Sequence, residues 1–409
     1  MQVCEEGSAS VTIPTRTHMS QEIPTVDVLI VGAGCAGLFL LDSLVRKGIS
    51  ALLIESKAFG LGQTTSSQGI LHAGVKYSLG GLAGDDATEA AAAASLWSKM
   101  LSGDATDLRA VRKLADRCYL WRTAGLAGAA GMLGAKVALR TRPEPVTKDA
   151  RPLWLKDVGG EVLTLAETVI DPRSLLSVLA QRHVGRIALG NVRSIVEENR
   201  LQRVDIESTR PAIIRARQIF LTAGAGNEAL SKLAGNACEM QRRPLRQAMI
   251  RGPLEMVFGH CIDGAKTRVT ITSDRISKDE VVWHIGGQVA EDGPRMTLEN
   301  FRAHAIAELR SAIPKIDLQG CSFESYDVDR AEPRTADGRR PPRAFARTTG
   351  SVTTVWPIKL VLAPVIAAEI TASTAASDYP SAHWPSDLPA PEFAQRPWEV
   401  ATLSWNPIP

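Results

Sequence analysis

The chain has 409 residues, 44% hydrophobic and 22% charged, enough for a large core divided between two structural domains. Its 47 basic and 44 acidic side chains leave a net charge of +3, which gives no electrostatic case for nucleic acid. No stretch approaches the ~18 uninterrupted apolar residues of a membrane span. Six scattered cysteines, with neither a CxxC pair nor metal-ligand spacing, fit a reduced cytoplasm and predict no metal site; contact with a membrane periphery is left open.

Residues 1–24 are polar, lack an apolar signal core and contain Met19 as a second candidate start, so a disordered arm is expected there. Then comes VDVLIVGAGCAG (26–37). Its β-branched run has the character of a buried parallel strand, and the next residues, LFLLDSLVRKG, have helical periodicity. A second apolar run, Ala51 to Ile54, ends in Glu55. A lone GxGxxG is weak, but here strand, loop, helix, strand and acid fall in register. Gly32 suits the tight turn, Gly34 the approach of a pyrophosphate and Gly37 close helix–strand packing, with Cys35 and Ala36 at the helix start. That helix end faces phosphates, and Glu55 is placed to accept from ribose hydroxyls. The pattern predicts a dinucleotide site.

The fingerprint opens the folded region, which favours FAD. IFLTAGAG (219–226) adds a second strand that breaks into small residues, with Ala223 and Gly224 placed to pass beneath the cofactor. No second complete fingerprint follows, so a separate NAD(P)H module is not expected. Electrons would then leave through oxygen, a quinone or a protein carrier.

Further along, a Gly/Ser/Thr-rich stretch (60–69) precedes a helix over 87–101, with Asp86 and Glu89 as a capping box. Short strands fill 137–170. Asp171 and Pro172 start a helix to about His183. Strands follow over 204–207, 219–222, 268–272 and 281–285, then an amphipathic helix over 298–313 that stops at Pro314. The tail beyond Tyr379 holds seven prolines and three tryptophans, the composition of an extended strap.

Several of these segments carry a resemblance to the D-amino-acid-oxidase-like superfamily of FAD-dependent oxidoreductases, over about residues 25–375. Beyond the fingerprint they are DPRSLL (171–176), TAGAG (222–226), VWHIGGQVAE (282–291), AEPRTADG (331–338) and WPIKLVLAPVIAAEI (356–370). Trp356-Pro357 stands where that family commonly has Gly-His. QTTSSQGILHAGVKY (63–77) is similar to a segment of L-2-hydroxyglutarate dehydrogenases through Gln63, Thr64, Gly69, His72, Gly74 and Tyr77. It also resembles a segment of flavin-linked glycerol-3-phosphate dehydrogenases through Ser67, His72, Gly74, Lys76 and Tyr77.

The resemblance implies an α/β fold, a Rossmann-like FAD-binding domain (25–100, 166–240, 326–378) interleaved with a smaller antiparallel-sheet α+β substrate domain (101–165, 241–325), and a tail over 379–409. It adds Thr64, Ser67, Gly69, Lys359 and Leu360 to the cofactor contacts, Lys359 standing where a positive charge would steady the reduced flavin. It further implies hydride transfer from the CH–OH carbon of a small anionic substrate, a 2-hydroxy acid or glycerol 3-phosphate. His72 is the candidate base, since neutral imidazole takes up a proton near pH 7; the alternative is a structural histidine beneath the flavin. Arg334 and then Lys76 are the candidate anion-binding cations. The remaining histidines, His260 in a Gly-flanked turn and His284 on a strand among them, read as structural. Two other readings stay open: an amino-acid or amine oxidase, and a flavoprotein subunit of an electron-transfer complex.

Overall fold

The computed structural model describes residues 23–72, 85–123, 143–263, 266–400 and 402–409; the expected arm, apart from its last two residues, and Lys76 fall outside them. Val26–Val31 is apolar save Asp27 and almost wholly buried, so strand β1 (Thr25–Val31) needs cover on both faces and lies inside a sheet. It pairs in parallel with β2 (Ala51–Glu55) on one side and with Ala212–Leu221 on the other. Parallel pairing extends to Ile187–Leu189 at one end and Val352–Trp356 at the other. An antiparallel meander, Asn191–Glu198 and Leu201–Glu207, runs into Ala212–Leu221 and completes this part of a sheet that has eight strands among the described residues.

Helices α1 (Cys35–Arg46), Pro172–Gln181 and Ala363–Ser373 cover one face, and Trp97 and Met100 of helix Asp85–Ser102 join the same core. Leu38, Phe39, Leu41 and Leu44 of α1 are buried there, each worth about 1.5–3 kcal/mol of apolar burial. Asp171 caps the second helix by accepting from Arg173 N at 3.0 Å, ahead of Pro172. On the other face, Ile195, Val204 and Ile214 of the meander pack against Leu29 and Ile54.

Among the described residues the second sheet has nine strands, with Met240–Gly252 and Ser322–Pro333 paired over twelve positions near one edge and Cys118–Arg122 and Val162–Leu165 towards the other. Helix Leu298–Ala312, capped by Thr297, covers its apolar face with Phe301, Ala305 and Leu309. Because Ser322–Pro333 stays in this sheet to its end, the chain crosses back after Pro333, later than the expected boundary at 326. The tail fastens both sheets. Trp384 donates to Leu53 O at 2.9 Å, Glu392–Phe393 pairs with Ala58–Phe59, and Asn406–Pro407 pairs with Ser322–Phe323. Arg112 and Arg396 both pair with Asp171, and Arg112 also reaches Asp274 at 2.7 Å, so helix cap, second sheet and tail share one ion-pair cluster. Among the described residues no helix is long and apolar enough to cross a membrane.

Candidate active site

The two sheets meet over a cavity of about 660 Å³, within the range of small-molecule and cofactor sites. The first sheet contributes backbone. Gly32 has φ +109°, and a Cβ on it would stand 2.6 Å from Ala223 Cα. A Cβ on Gly37 would stand 2.0 Å from Gly32 O, so both positions are glycine because the protein's own backbone fills the space. Gly34 differs. Its Cβ would meet only Thr64 Oγ1, at 3.3 Å, and what a side chain there would fill is the cavity itself. Glu55 lies at the β2 end, its Oε2 accepting from Ala33 N at 2.7 Å and its Oε1 from Lys57 N at 2.9 Å. These bonds aim the carboxylate and leave it further lone pairs for ribose hydroxyls. Burial pushes the Cys35 thiol up, which keeps it neutral at the cavity wall.

The sequence-predicted cofactor contacts Gly32, Gly34, Cys35, Ala36, Glu55, Thr64, Ser67, Ala223, Gly224, Lys359 and Leu360 all line this cavity. Gly37 sits behind it, in the helix–strand packing. Gly69, at φ +68°, lines an adjoining recess of about 190 Å³ with Ser67, His72, Arg340, Lys359 and Leu360. Between cavity and recess runs the loop from Trp356. Trp356 Nε1 donates to Gly224 O at 3.0 Å, tying the loop to the second small-residue turn. Ile358 holds φ +63° while Lys359 N donates to Pro357 O at 2.7 Å, a left-handed three-residue turn costing a β-branched residue about 1–3 kcal/mol.

The second sheet contributes side chains. Leu245, Gln247, Val328 and Arg330 line the cavity from adjacent, paired strands. Gln247 Oε1 is buried with no hydrogen-bond partner among the described residues. Burial and the neighbouring Arg243 pull Arg330 below the usual guanidinium value, against its ion pair with Glu291 at 3.1 Å. Close by, His284 Nε2 and Tyr326 Oη lie 2.5 Å apart, and Tyr326 donates to Ser66 O at 3.1 Å. Burial pushes His284 down to about 3, so its imidazole is neutral at physiological pH.

Behind the recess lies a constellation that spacing along the chain did not announce. His72 Nδ1 is 3.4 Å from Glu167 Oε1, and His260 Nε2 is 3.1 Å from Glu167 Oε2. His260 is not in a turn but on strand Gly259–Asp263, and its Nδ1 lies 3.0 Å from Thr270 Oγ1. Burial alone would raise the Glu167 carboxyl; the two imidazoles outweigh it and hold Glu167 ionised, below the ordinary carboxylate range. The three ligand-type atoms lie within 4.8 Å of one another.

Arg334 is a correction. It follows the last residue of Ser322–Pro333, its side chain is 66% exposed, and it pairs with Glu239 at 3.3 Å on the surface. It lines neither the cavity nor the recess; Arg330 lines the cavity and Arg340 the recess.

The family model for FAD dependent oxidoreductase (DAO) matches residues 27–332. The chain belongs to this FAD-dependent oxidoreductase family. It is 37% identical over 393 residues to the probable FAD-dependent oxidoreductase PA4991 of Pseudomonas aeruginosa, covering 94% of this chain and 100% of that one. The crystal structure of that relative superposes with a TM-score of 0.77 over 93% of this chain and 99% of the other, at 32% identity. Glycine oxidase from Geobacillus kaustophilus, at 14% identity, superposes with a TM-score of 0.63 over 87% of this chain and 97% of its own. L-alpha-glycerophosphate oxidase from Mycoplasma pneumoniae, solved with FAD bound, gives the same score and identity over 89% and 100%. These last two share the fold. The oxidoreductase therefore takes FAD, and the cradle at Gly34, the oriented Glu55 and the small residues at Ala223 and Gly224 fit that group.

Proposed function

We propose that the oxidoreductase oxidises the CH–OH carbon of a small anionic substrate of the 2-hydroxy-acid or glycerol-3-phosphate type. The reading rests on one observation: a histidine with a buried carboxylate behind it shares a recess with two cations, Arg340 and Lys359. FAD, when bound, supplies the hydride acceptor. His72 takes the hydroxyl proton as the C–H bond breaks, Arg340 holds the substrate's anionic group, and Lys359 carries positive charge on the loop shared by recess and cavity. Electrons leave to oxygen, a quinone or a protein carrier.

A second reading, oxidation of an amino or imino acid, is favoured by Gln247 and Arg330 on the sheet face. A buried, unpartnered amide oxygen suits a substrate N–H, and Arg330 suits its carboxylate. Anaerobic bleaching of the FAD band separates the two. 2-Hydroxy acids and glycerol 3-phosphate should bleach the protein, whereas the matching 2-amino acids and neutral alcohols should not. Bleaching by the amino acids alone would replace the first reading with the second.

A further inference from the structure

We infer that Glu167, itself held by His260, is a positioning residue that fixes the tautomer and orientation of His72, leaving Nε2 as the ring's basic atom. The inference rests on the proposed role of His72 and extends it to two residues of the second sheet region.

Glu167 lies in the short connection between strands Val162–Leu165 and Val169–Ile170 and is 1% exposed. His260 Nε2 stands 3.1 Å from one of its carboxylate oxygens and His72 Nδ1 3.4 Å from the other. An ionised carboxylate only accepts, so each ring nitrogen facing it carries a proton. For His260 that makes Nε2 the donor to Glu167 and leaves Nδ1 to accept from the Thr270 hydroxyl. For His72 it puts the proton on Nδ1. The basic lone pair then belongs to Nε2, as a buried acid orients imidazole in hydrolase triads.

Among the described residues, these charged and titratable groups lie around His72. Glu167 and His260 stand behind it, and Arg340 and Lys359 line the recess with it. Cys118 is also near Glu167, but burial pushes its thiol well up, so it stays neutral. Among the described residues of this group Glu167 is the anion, and it favours the protonated imidazole that proton transfer produces. A resident metal ion on His72, Glu167 and His260 is the competing account. It would require both histidines to present bare nitrogens to the ion, the opposite of the tautomers derived above.

Nitrogen-15 NMR of the FAD-loaded protein labelled at histidine tests this without a substrate, with His72 assigned by the signal lost in His72→Asn. Wild-type protein should show His72 with Nδ1 protonated. Glu167→Gln should keep FAD and lower the His72 pKa by about one unit or more, because an anion at this distance typically raises it by that much. A mainly Nε2-protonated His72 in wild-type protein would overturn the inference, and so would an unmoved pKa in Glu167→Gln. Should that variant not fold, Glu167→Asp and His260→Gln carry the same expectation in weaker form. Metal analysis showing a stoichiometric ion lost on any of these substitutions would also overturn it. With whichever 2-hydroxy acid or glycerol phosphate bleaches the wild type, Glu167→Gln should slow single-turnover reduction by about 10- to 1,000-fold and move its acid limb to lower pH. If His72→Asn reduces at the wild-type rate, the base assignment fails. If His72→Asn is slow while Glu167→Gln keeps both rate and acid limb, only the positioning inference fails.

Discussion

The two sheets contribute to the same cavity by different means. In the first, β1 is buried over six of seven residues, and what reaches the cavity, apart from the Glu55 carboxylate, is mainly backbone: the turn at Gly32, the N-terminus of α1 and the small residues at Ala223 and Gly224. In the second, Ser322–Pro333 is half-buried over most of its length, with Asp327 exposed, and side chains such as Gln247 and Arg330 face the cavity. A cofactor common to a whole family can be gripped by main chain, which tolerates changes of side chain. A substrate particular to one branch has to be read by side chains.

The largest expected effects lie in the first sheet and separate its glycines. Gly37→Ala forces a methyl onto Gly32 O and should cost about 3 kcal/mol in denaturant unfolding of the flavin-free protein. Gly34→Val should leave that unfolding nearly unchanged yet abolish FAD uptake, read from the flavin absorbance. Equal loss of stability in both variants would erase the distinction between scaffold and cradle.

The next effect belongs to the recess. Arg340→Ala should raise the KM of an anionic substrate about 10- to 100-fold, the worth of a charge-assisted hydrogen bond. FAD content should not change. Arg334→Ala, on the exposed surface, should change KM less than about twofold, and the reverse ranking would restore Arg334 to the site.

The smallest effect concerns the buried His284–Tyr326 pair. Tyr326→Phe should cost about 1–2 kcal/mol, since His284 Nε2 loses its partner. His284 also makes stability depend on pH. The unfolded chain binds its proton below about 6.5 and the folded one only below about 3, so stability should fall as pH drops through that window. Urea unfolding at pH 7 and pH 5 should show a smaller difference in His284→Gln than in wild type.

The contrast between the sheets also governs what the sequence revealed. Strands buried on both faces read as apolar runs, so β1, β2 and the Val281–Gly286 strand are legible without coordinates. Met240–Gly252 and Ser322–Pro333 are not. Arg242, Arg246, Asp327 and Asp329 interrupt any alternation, because here the strands are held by cross-strand pairs such as Arg246–Asp327 and Arg242–Asp329. The residues expected to contact the cofactor form local motifs, and all but Gly37 and Gly69 line the cavity. Glu167 and His260 lie 93 positions apart, and nothing local to either marks a partner of His72. Arg334 was expected at the cavity because its segment resembles a flavin-side stretch. The strand ends one residue earlier, and Arg334 N turns out to Glu239 O.

The role of His72 is the point on which the proposed chemistry stands, and anaerobic stopped-flow reduction of FAD-loaded His72→Ala addresses it directly. With the anionic alcohol that best bleaches the wild type, flavin reduction should slow by about two to four orders of magnitude, the usual worth of a positioned base, while the oxidised spectrum stays unchanged. Reduction at the wild-type rate would contradict proton abstraction by His72 and with it the alcohol-oxidation reading.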